Sequence, residues 1–542
     1  MRAHDVQDLE RIVAAFSWNL PVRYNIGVDV CDKWSHEPAR IALIHKPPVG
    51  ENVEYTFVEI RRLSNEAANL MLSAGLTRGD RIAVLLPQMP ETAIAHVAIY
   101  KMGAIAVPLF SLFGIEALEY RLADSGARAV VTDRAGAVKL RAIRDRLPAL
   151  KIIYTVDGVC ADTVDFHEGL SRQSVDFQPV ETTADDPALI IYTSGTTGSP
   201  KGALHAHRVL LGHLPGVALS HDFAPQSGDR FWTPADWAWI GGLYDVLMPA
   251  WHHGLTVVSH RFAKFDPEAA FQLIDDCGVR NAFLPPTALK MMRSVDNPRA
   301  RWRLDMRSIA SGGESLGREL LHWGRETFGL TINEFYGQTE CNMVISSCGR
   351  MMAARPGRIG KAVPGHRVAI VDAAGRIVPS GVTGHIAVER PDPVMFLGYW
   401  NNEVATAAKY VGDWLLTGDL GESDAEGYIR FIGRDDDVIT SGGYRIGPAE
   451  VEDCLLGHHA VRLAAVIGVP DPMRTEIVKA FIVLHDGIDA NETLVSELQN
   501  HVKSRLSAHE YPRRIEFVPS LPMTATGKII RRELRDKHAA IS

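Results

Sequence analysis

From Arg81 onward the chain alternates apolar runs of strand length with stretches of helix length: RIAVLLP, PETAIAHVAIYKMG, AIAVPL, GIEALEYRLADSG and ARAVVTD. Short apolar runs read as strands, and their alternation with helices predicts βαβ units around a mainly parallel sheet. The same alternation returns at GLTVVSH, DPEAAFQLIDDCG and NAFLPP. From about residue 365 shorter β segments separated by glycine turns, VAIVDAAGRIVPSG and GHIAVERP, predict a β-rich subdomain. Beyond GYIRFIGRDDDVI the order becomes helix (PAEVEDCLLG), strands (LAAVIGVPD, KAFIVLHDG), helix (TLVSELQNHVKSRLS) and RRIEFVPSLP, enough for a small domain of its own. The expected fold class is therefore α/β, with a large N-terminal domain of mainly parallel sheets carrying a β-rich subdomain over 1–435. A small, mobile α+β C-terminal domain is expected over 436–542. Two stretches read as linkers: the polar VETTADDP before residue 188 and the charged GRDDD at 433–437, the latter being the better hinge.

Composition narrows the class without changing this picture. The 542 residues suffice for several cores, and 46% hydrophobic with 23% charged residues is a globular balance. With 57 Lys+Arg against 65 Asp+Glu the formal charge is −8, so no global positive field recruits nucleic acid. Six scattered cysteines (Cys31, Cys160, Cys277, Cys341, Cys348, Cys454) form no CxxC pair, which suits a reducing compartment. The N-terminal MRAHDVQDLERIV has acids and no apolar segment of signal-peptide type, so a cytoplasmic location is expected. The most apolar window, 93–115, is interrupted by Lys101 and Pro108 and predicts buried helix and strand rather than integral membrane association.

The segment Tyr192-Thr193-Ser194-Gly195-Thr196-Thr197-Gly198-Ser199-Pro200-Lys201-Gly202 follows the apolar run ALII. Glycines admit close backbone approach to an anion, hydroxyls and N–H groups donate, and the lysine adds charge, so the segment reads as a phosphate loop. A polar surface turn is the competing reading, and so dense a set of hydroxyls beside a lysine disfavours it. It is not a Walker loop, since Pro200 precedes the lysine and Gly202 follows it.

This segment resembles the signature of the adenylate-forming superfamily, which includes acyl-CoA synthetases, luciferases and peptide-synthetase adenylation domains. Further resemblances follow in the family's order: Tyr336-Gly337-Gln338-Thr339-Glu340, then Thr417-Gly418-Asp419, then Gly433-Arg434-Asp435-Asp436-Asp437 with Ser441-Gly442-Gly443-Tyr444-Arg445-Ile446-Gly447, and finally Pro522-Met523-Thr524-Ala525-Thr526-Gly527-Lys528. The resemblance spans essentially the whole chain. It implies an AMP-forming acyl-CoA synthetase of the acetyl-CoA and medium-chain branch, using ATP, Mg²⁺ and coenzyme A on a small-molecule carboxylic acid. An aryl-CoA ligase is the alternative, followed by a carrier-protein adenylating enzyme and a non-catalytic nucleotide sensor.

By resemblance, Lys528 bridges the carboxylate, ribose and α-phosphate, and Glu340 holds Mg²⁺. Thr193, Ser194, Gly195, Thr196, Thr197, Gly198 and Lys201 cover the β,γ-phosphates, Thr196 counting with Lys528 and Glu340 as catalytic. Asp419 accepts from the two ribose hydroxyls, which suits an acceptor-only carboxylate, and Arg434 adds a donor there. Gly313, Glu314 and Ser315 form the adenine loop, with Tyr336 stacking on the purine and Gly337, Gln338 and Thr339 continuing the nucleotide site. Asp436 is the expected hinge of a domain rotation that brings Gly443, Tyr444 and Arg445 to coenzyme A. Trp237, Trp239, Ile240, Gly241, Gly312 and Gly337 are the expected acyl pocket. In acetate-specific members a tryptophan stands where this chain has Gly337, so the missing side chains predict room for acids of about four to eight carbons. The resemblance also makes Lys528 a candidate for a lysine acetyltransferase and deacetylase, and a homo-oligomer is compatible with the chain.

His205-Ala206-His207, His252-His253 and His458-His459 lack further ligands at a zinc spacing. Cys341, beside Glu340, reads as a small buried hydrophobe rather than a nucleophile.

Overall fold

The computed structural model describes residues 5–193, 200–314, 316–435, 437–441, 444–471, 474–506, 510–524 and 528–541. Among them four sheets organise the chain: one of nine strands, one of eight and two of five. The nine- and eight-stranded sheets are mainly parallel, with antiparallel strands at their edges. The β segments after residue 365 form a separate antiparallel sheet in which Val368–Val371 pairs Gly384–Glu389 and Trp414–Ser423 pairs Ile429–Arg434. The chain leaves that sheet at Arg434 and enters the last one at Ile439, where Val461–Asp471 and Thr475–Leu484 form a long antiparallel pair. Asp436 lies in this passage and outside the described residues.

The apolar window resolves into the helix Pro90–Lys101 and the strand Ile105–Pro108, both buried along their length. The helix has no polar face because it is packed on every side. Lys101 survives there only because its ammonium meets Asp32 at 2.6 Å and Ser64 and Asn65 at 2.9 Å; a buried charge needs such partners. Among the described residues no helix is long and apolar enough to cross a membrane.

One linker expectation fails. VETTADDP is tied down: Val180 donates to Lys101 O at 2.8 Å, Tyr24 donates to Thr182 O at 3.0 Å, and Thr182 is buried. Polar composition there reflects backbone and hydroxyl bonding to the first residues of the chain, not freedom.

The parallel neighbours Ser308–Gly312 and Ile332–Gln338 end side by side, Gly312 opposite Phe335. Crevices outside the carboxyl ends of parallel strands are where open α/β sheets bind ligands, and Gly312, Gly313, Tyr336 and Gln338 all lie there.

Candidate active site

The two strands flanking the hydroxyl-rich loop, Pro187–Thr193 and Lys201–Ala206, form an antiparallel hairpin with Thr193 opposite Lys201. Its stem is held by Tyr192 donating to Asp124 at 2.6 Å and Tyr120 donating to Pro200 O at 2.9 Å. The strands on either side thus make a hairpin stem, and a strand rather than the helix that follows a Walker loop comes next. Ser194, Gly195, Thr196, Thr197 and Gly198 lie outside the described residues, as do Ser315 and Gly443; Tyr444 and Arg445 lie on the strand Tyr444–Ile446, their side chains undescribed.

Two carboxylates of the expected site are buried. Glu340 follows the tight turn from the strand Ile332–Gln338, where half-buried Thr339 precedes it, and is 7% exposed. The Tyr399 hydroxyl donates to its Oε1, and the Lys201 ammonium sits 5.3 Å from the Tyr399 ring. Asp419, 5% exposed, lies opposite Arg434 in its sheet. It accepts from the Tyr336 hydroxyl at 2.5 Å and lies 3.4 Å from the Arg434 guanidinium. Burial raises the Asp419 carboxyl, and Arg434 and the Tyr336 hydrogen bond work against that.

Lys528, from the small domain, reaches the same crevice. Its ammonium lies 5.6 Å from the Trp239 ring, and a Cβ on Gly313 would lie 3.7 Å from its Cε. Burial lowers the ammonium's pKa, while Glu314 and Asp419 support its charge. Its backbone is fixed by reciprocal bonds with Thr524, at 3.0 and 2.8 Å. Glu314 accepts from Thr287 at 3.2 Å. Gly313, at φ +93°, needs its freedom to pass under that lysine.

The expected open pocket needs correction. A Cβ at Gly337 would fall 2.4 Å from Asn342 Oδ1, 2.7 Å from Asn342 Cα and 2.8 Å from Met343 N. A Cβ at Gly312 would meet the Phe335 ring at 2.6 Å, and one at Gly241 would meet Phe283 at 2.9 Å. The three glycines are small because neighbours occupy the space, so their missing side chains do not translate into free volume. Trp237 is also core, with no accessible surface and an indole N–H that meets no acceptor among the described residues. Ile240 is nearly as buried, whereas Trp239 is half-buried. Trp239, Phe283 and Phe335 form a continuous row of rings, their centroids 5.8 and 5.2 Å apart in succession, in which Trp239 is half-buried and Phe283 and Phe335 are buried.

Residues absent from the sequence reading include Phe283, Phe335, Tyr399 and Lys409. Phe335 precedes Tyr336 on one strand and so points to the opposite face, which the alternation could have shown. Lys409 carries no sequence signal. Its ammonium donates to Gln338 Oε1 and Thr417 O, both at 3.2 Å, while Gln338 donates to Thr417 O at 3.2 Å. This knot joins the segments bearing Glu340 and Asp419. Burial lowers the Lys409 ammonium, and both carboxylates oppose the shift. Lys409→Met is expected to cost about tenfold in kcat/KM for ATP, since hydrogen bonds to a charged group are worth about 1.5–3 kcal/mol, and Lys409→Arg should recover part of it. Initial rates against ATP concentration check this; an unchanged Lys409→Met would remove the knot from the site.

Of the histidines, His205 and His207 are buried and pushed down to about 3 and about 4 by desolvation, and His252 pairs with Asp29 at 2.6 Å. Among the described residues no group of three metal-ligating side chains occurs. Cys341 is buried and its thiol is raised by desolvation, which suits packing rather than attack.

Comparison with known proteins decides what this arrangement is. The family model described as AMP-binding enzyme matches residues 31–400, and that of the AMP-binding enzyme C-terminal domain matches 450–528. The chain belongs to the AMP-binding enzyme family. This AMP-binding enzyme is 37% identical over 533 residues to mouse (Mus musculus) mitochondrial acyl-coenzyme A synthetase ACSM4, covering 96% of this chain and 91% of the relative. It is 35% identical over 551 residues to acetyl-coenzyme A synthetase of Bacillus subtilis (strain 168), covering 98% and 95%. Its structure is similar to the anthranilate CoA ligase AuaEII in complex with anthranoyl-AMP, with a TM-score of 0.89 at 30% identity, covering 96% and 99%. The AMP-binding enzyme is an AMP-forming acyl-CoA synthetase, an ATP-dependent acid–thiol ligase whose co-substrates are ATP and coenzyme A.

Proposed function

We propose that this synthetase activates an apolar carboxylic acid of about four to eight carbons, linear or branched, and that Lys528 is its adenylating lysine. The observation that carries the reading is the row of rings that begins at Trp239, 5.6 Å from the Lys528 ammonium, and continues into the buried Phe283 and Phe335. A carboxylate paired with that ammonium would lay its tail along the rings, each buried methylene contributing about 0.8 kcal/mol. Acetate could use none of that surface. The flatness of the same rings favours benzoate-like acids as a second reading.

Chemically, a carboxylate oxygen attacks the α-phosphate, the new P–O bond forms and pyrophosphate leaves. Two anions must meet, so the dominant cost is charge repulsion and the charge that builds on the α-phosphate oxygens. Lys528 would meet that charge, Lys201 and the loop before it the outer phosphates, and Asp419 with Tyr336 and Arg434 the ribose. The Glu340 carboxylate fits Mg²⁺: Tyr399 occupies Oε1, and a lone carboxylate is what a cation shared with substrate phosphates and water requires. Mg²⁺ held there would offset phosphate charge. Rotation about Asp436 would then withdraw Lys528 and bring Gly443, Tyr444 and Arg445 to coenzyme A. Acetylation of Lys528 would erase its charge, and in the present pose the half-buried lysine faces Trp239, so an acetyltransferase would need the rotated one. The six free cysteines suit a reducing compartment such as the cytoplasm.

Pyrophosphate release with linear C2 to C10, branched and aromatic acids tests the substrate class. Acids of four to eight carbons are expected to exceed acetate at least tenfold in kcat/KM. The variant that discriminates is Phe335→Ala rather than Gly337→Trp, because a Cβ at 337 collides with backbone. Shortening Phe335 should shift the optimum toward longer acids. A preference for acetate, or an optimum that does not move, would sink the reading, and a benzoate optimum would establish the second one.

A further inference from the structure

The helix Arg318–Phe328 begins without a side-chain cap of its own, because its N-cap residue is Gly317 at φ +76°. Its first amides need a partner, and an acid of the other domain lies against this end. A Cβ at position 317 would lie 1.9 Å from Asp453 Oδ1 and 2.7 Å from its Cγ, so the Asp453 carboxylate stands against the first turn of this helix. Glycine at 317 is thus required twice, by its backbone conformation and by the approaching carboxylate. Asp453 sits on the helix Pro448–Leu456, three residues after Glu450, whose carboxylate pairs with Arg430 of the large domain. That spacing puts both acids on one helix face, so this face is the one that docks.

We propose that Asp453 is a positioning residue for the adenylation half-reaction: an N-cap supplied across the domain boundary that seats the small domain so that Lys528 reaches Gly313 and Trp239. The inference rests on the role given to Lys528 above. Burial raises the Asp453 carboxyl; Lys290, from the helix Pro286–Arg293, and Arg318 work against that, while Glu319 adds to it. Glu334, on the neighbouring strand, is pushed up to about 8, mainly by burial, against the Leu316 N–H bond and with Asp453 adding to the rise. A neutral Glu334 leaves room for the Asp453 charge beside it. The contact lasts only while the small domain is seated as here; when it rotates away, the amides of the Arg318–Phe328 helix return to water.

The test uses the full chain with Asp453→Ala, Asp453→Asn and, in parallel, Lys528→Ala. ATP–pyrophosphate exchange is measured with the acid that the wild-type chain turns over fastest. Thioester formation is measured from that acid's prepared acyl-adenylate plus coenzyme A, and hydrogen exchange is followed at the Arg318 amide. Asp453→Ala is expected to lower pyrophosphate exchange about tenfold, to leave thioester formation within twofold and to speed exchange at Arg318. Asp453→Asn, which keeps an acceptor oxygen, should retain at least half of the pyrophosphate exchange. Equal losses in both half-reactions, no loss in either, or an unchanged Arg318 amide would overturn the proposal. If Lys528→Ala instead impairs both half-reactions equally, the lysine's role fails while the Arg318 amide still reports on the cap.

Discussion

Replacing Lys528 by alanine is expected to lower acyl-adenylate formation by at least about a hundredfold, the usual cost of removing a preorganised charge from a developing oxyanion. Thioester formation from supplied acyl-adenylate should stay within about threefold. The asymmetry follows from position: the lysine enters the crevice from the small domain, with Trp239 on one side and Glu314 and Asp419 supporting its charge. Its backbone belongs to a short loop closed on Thr524, so withdrawal of the small domain removes the ammonium from the site. Separate measurement of pyrophosphate exchange and of coenzyme A consumption checks this. A lysine that served both steps would cost both equally, and that outcome would contradict the assigned role.

Asp419→Ala should raise the KM for ATP about fiftyfold or more with a smaller fall in kcat. As an acceptor, the carboxylate can take two ribose hydroxyls, at about 1.5–3 kcal/mol for each bond to a charged group. Its removal also leaves the Tyr336 hydroxyl without the oxygen it meets at 2.5 Å. Asp419→Asn should fall between the two, because an amide offers one accepting oxygen in place of two. Initial rates over a range of ATP concentrations decide, and an unchanged KM would place the ribose elsewhere. On the proposed placement of Lys201 at the outer phosphates, its contribution should be insensitive to this substitution.

The sequence alone determined the layered α/β architecture, because buried strands and helices impose their periodicity on the residues that form them. Val368–Val371 and Gly384–Glu389 appear where the glycine-punctuated β segments predict them, and Pro448–Leu456 where the helical pattern does. The nucleotide-side expectations rest on residue types that the chemistry restricts, an acceptor-only carboxylate at 419, glycines and hydroxyls between Thr193 and Lys201 and a lysine at 528, and the fold brings Asp419 near enough to Lys528 to support its charge. Tertiary structure decided the acyl side. Whether Gly241, Gly312 and Gly337 opened a pocket depended on Phe283, Phe335 and Asn342, residues brought in from other strands, and their rings and amide fill the space. Lys409 and Asp453 likewise look like ordinary surface charges in the sequence. What they meet, Gln338 with Thr417 in one case and the helix start at Gly317 in the other, is separated from them by long stretches of chain. Periodicity and motif report what a residue needs from its own neighbourhood. Packing volume and cross-domain hydrogen bonds depend on which distant segments meet, and that is fixed only when the sheets assemble and the small domain docks.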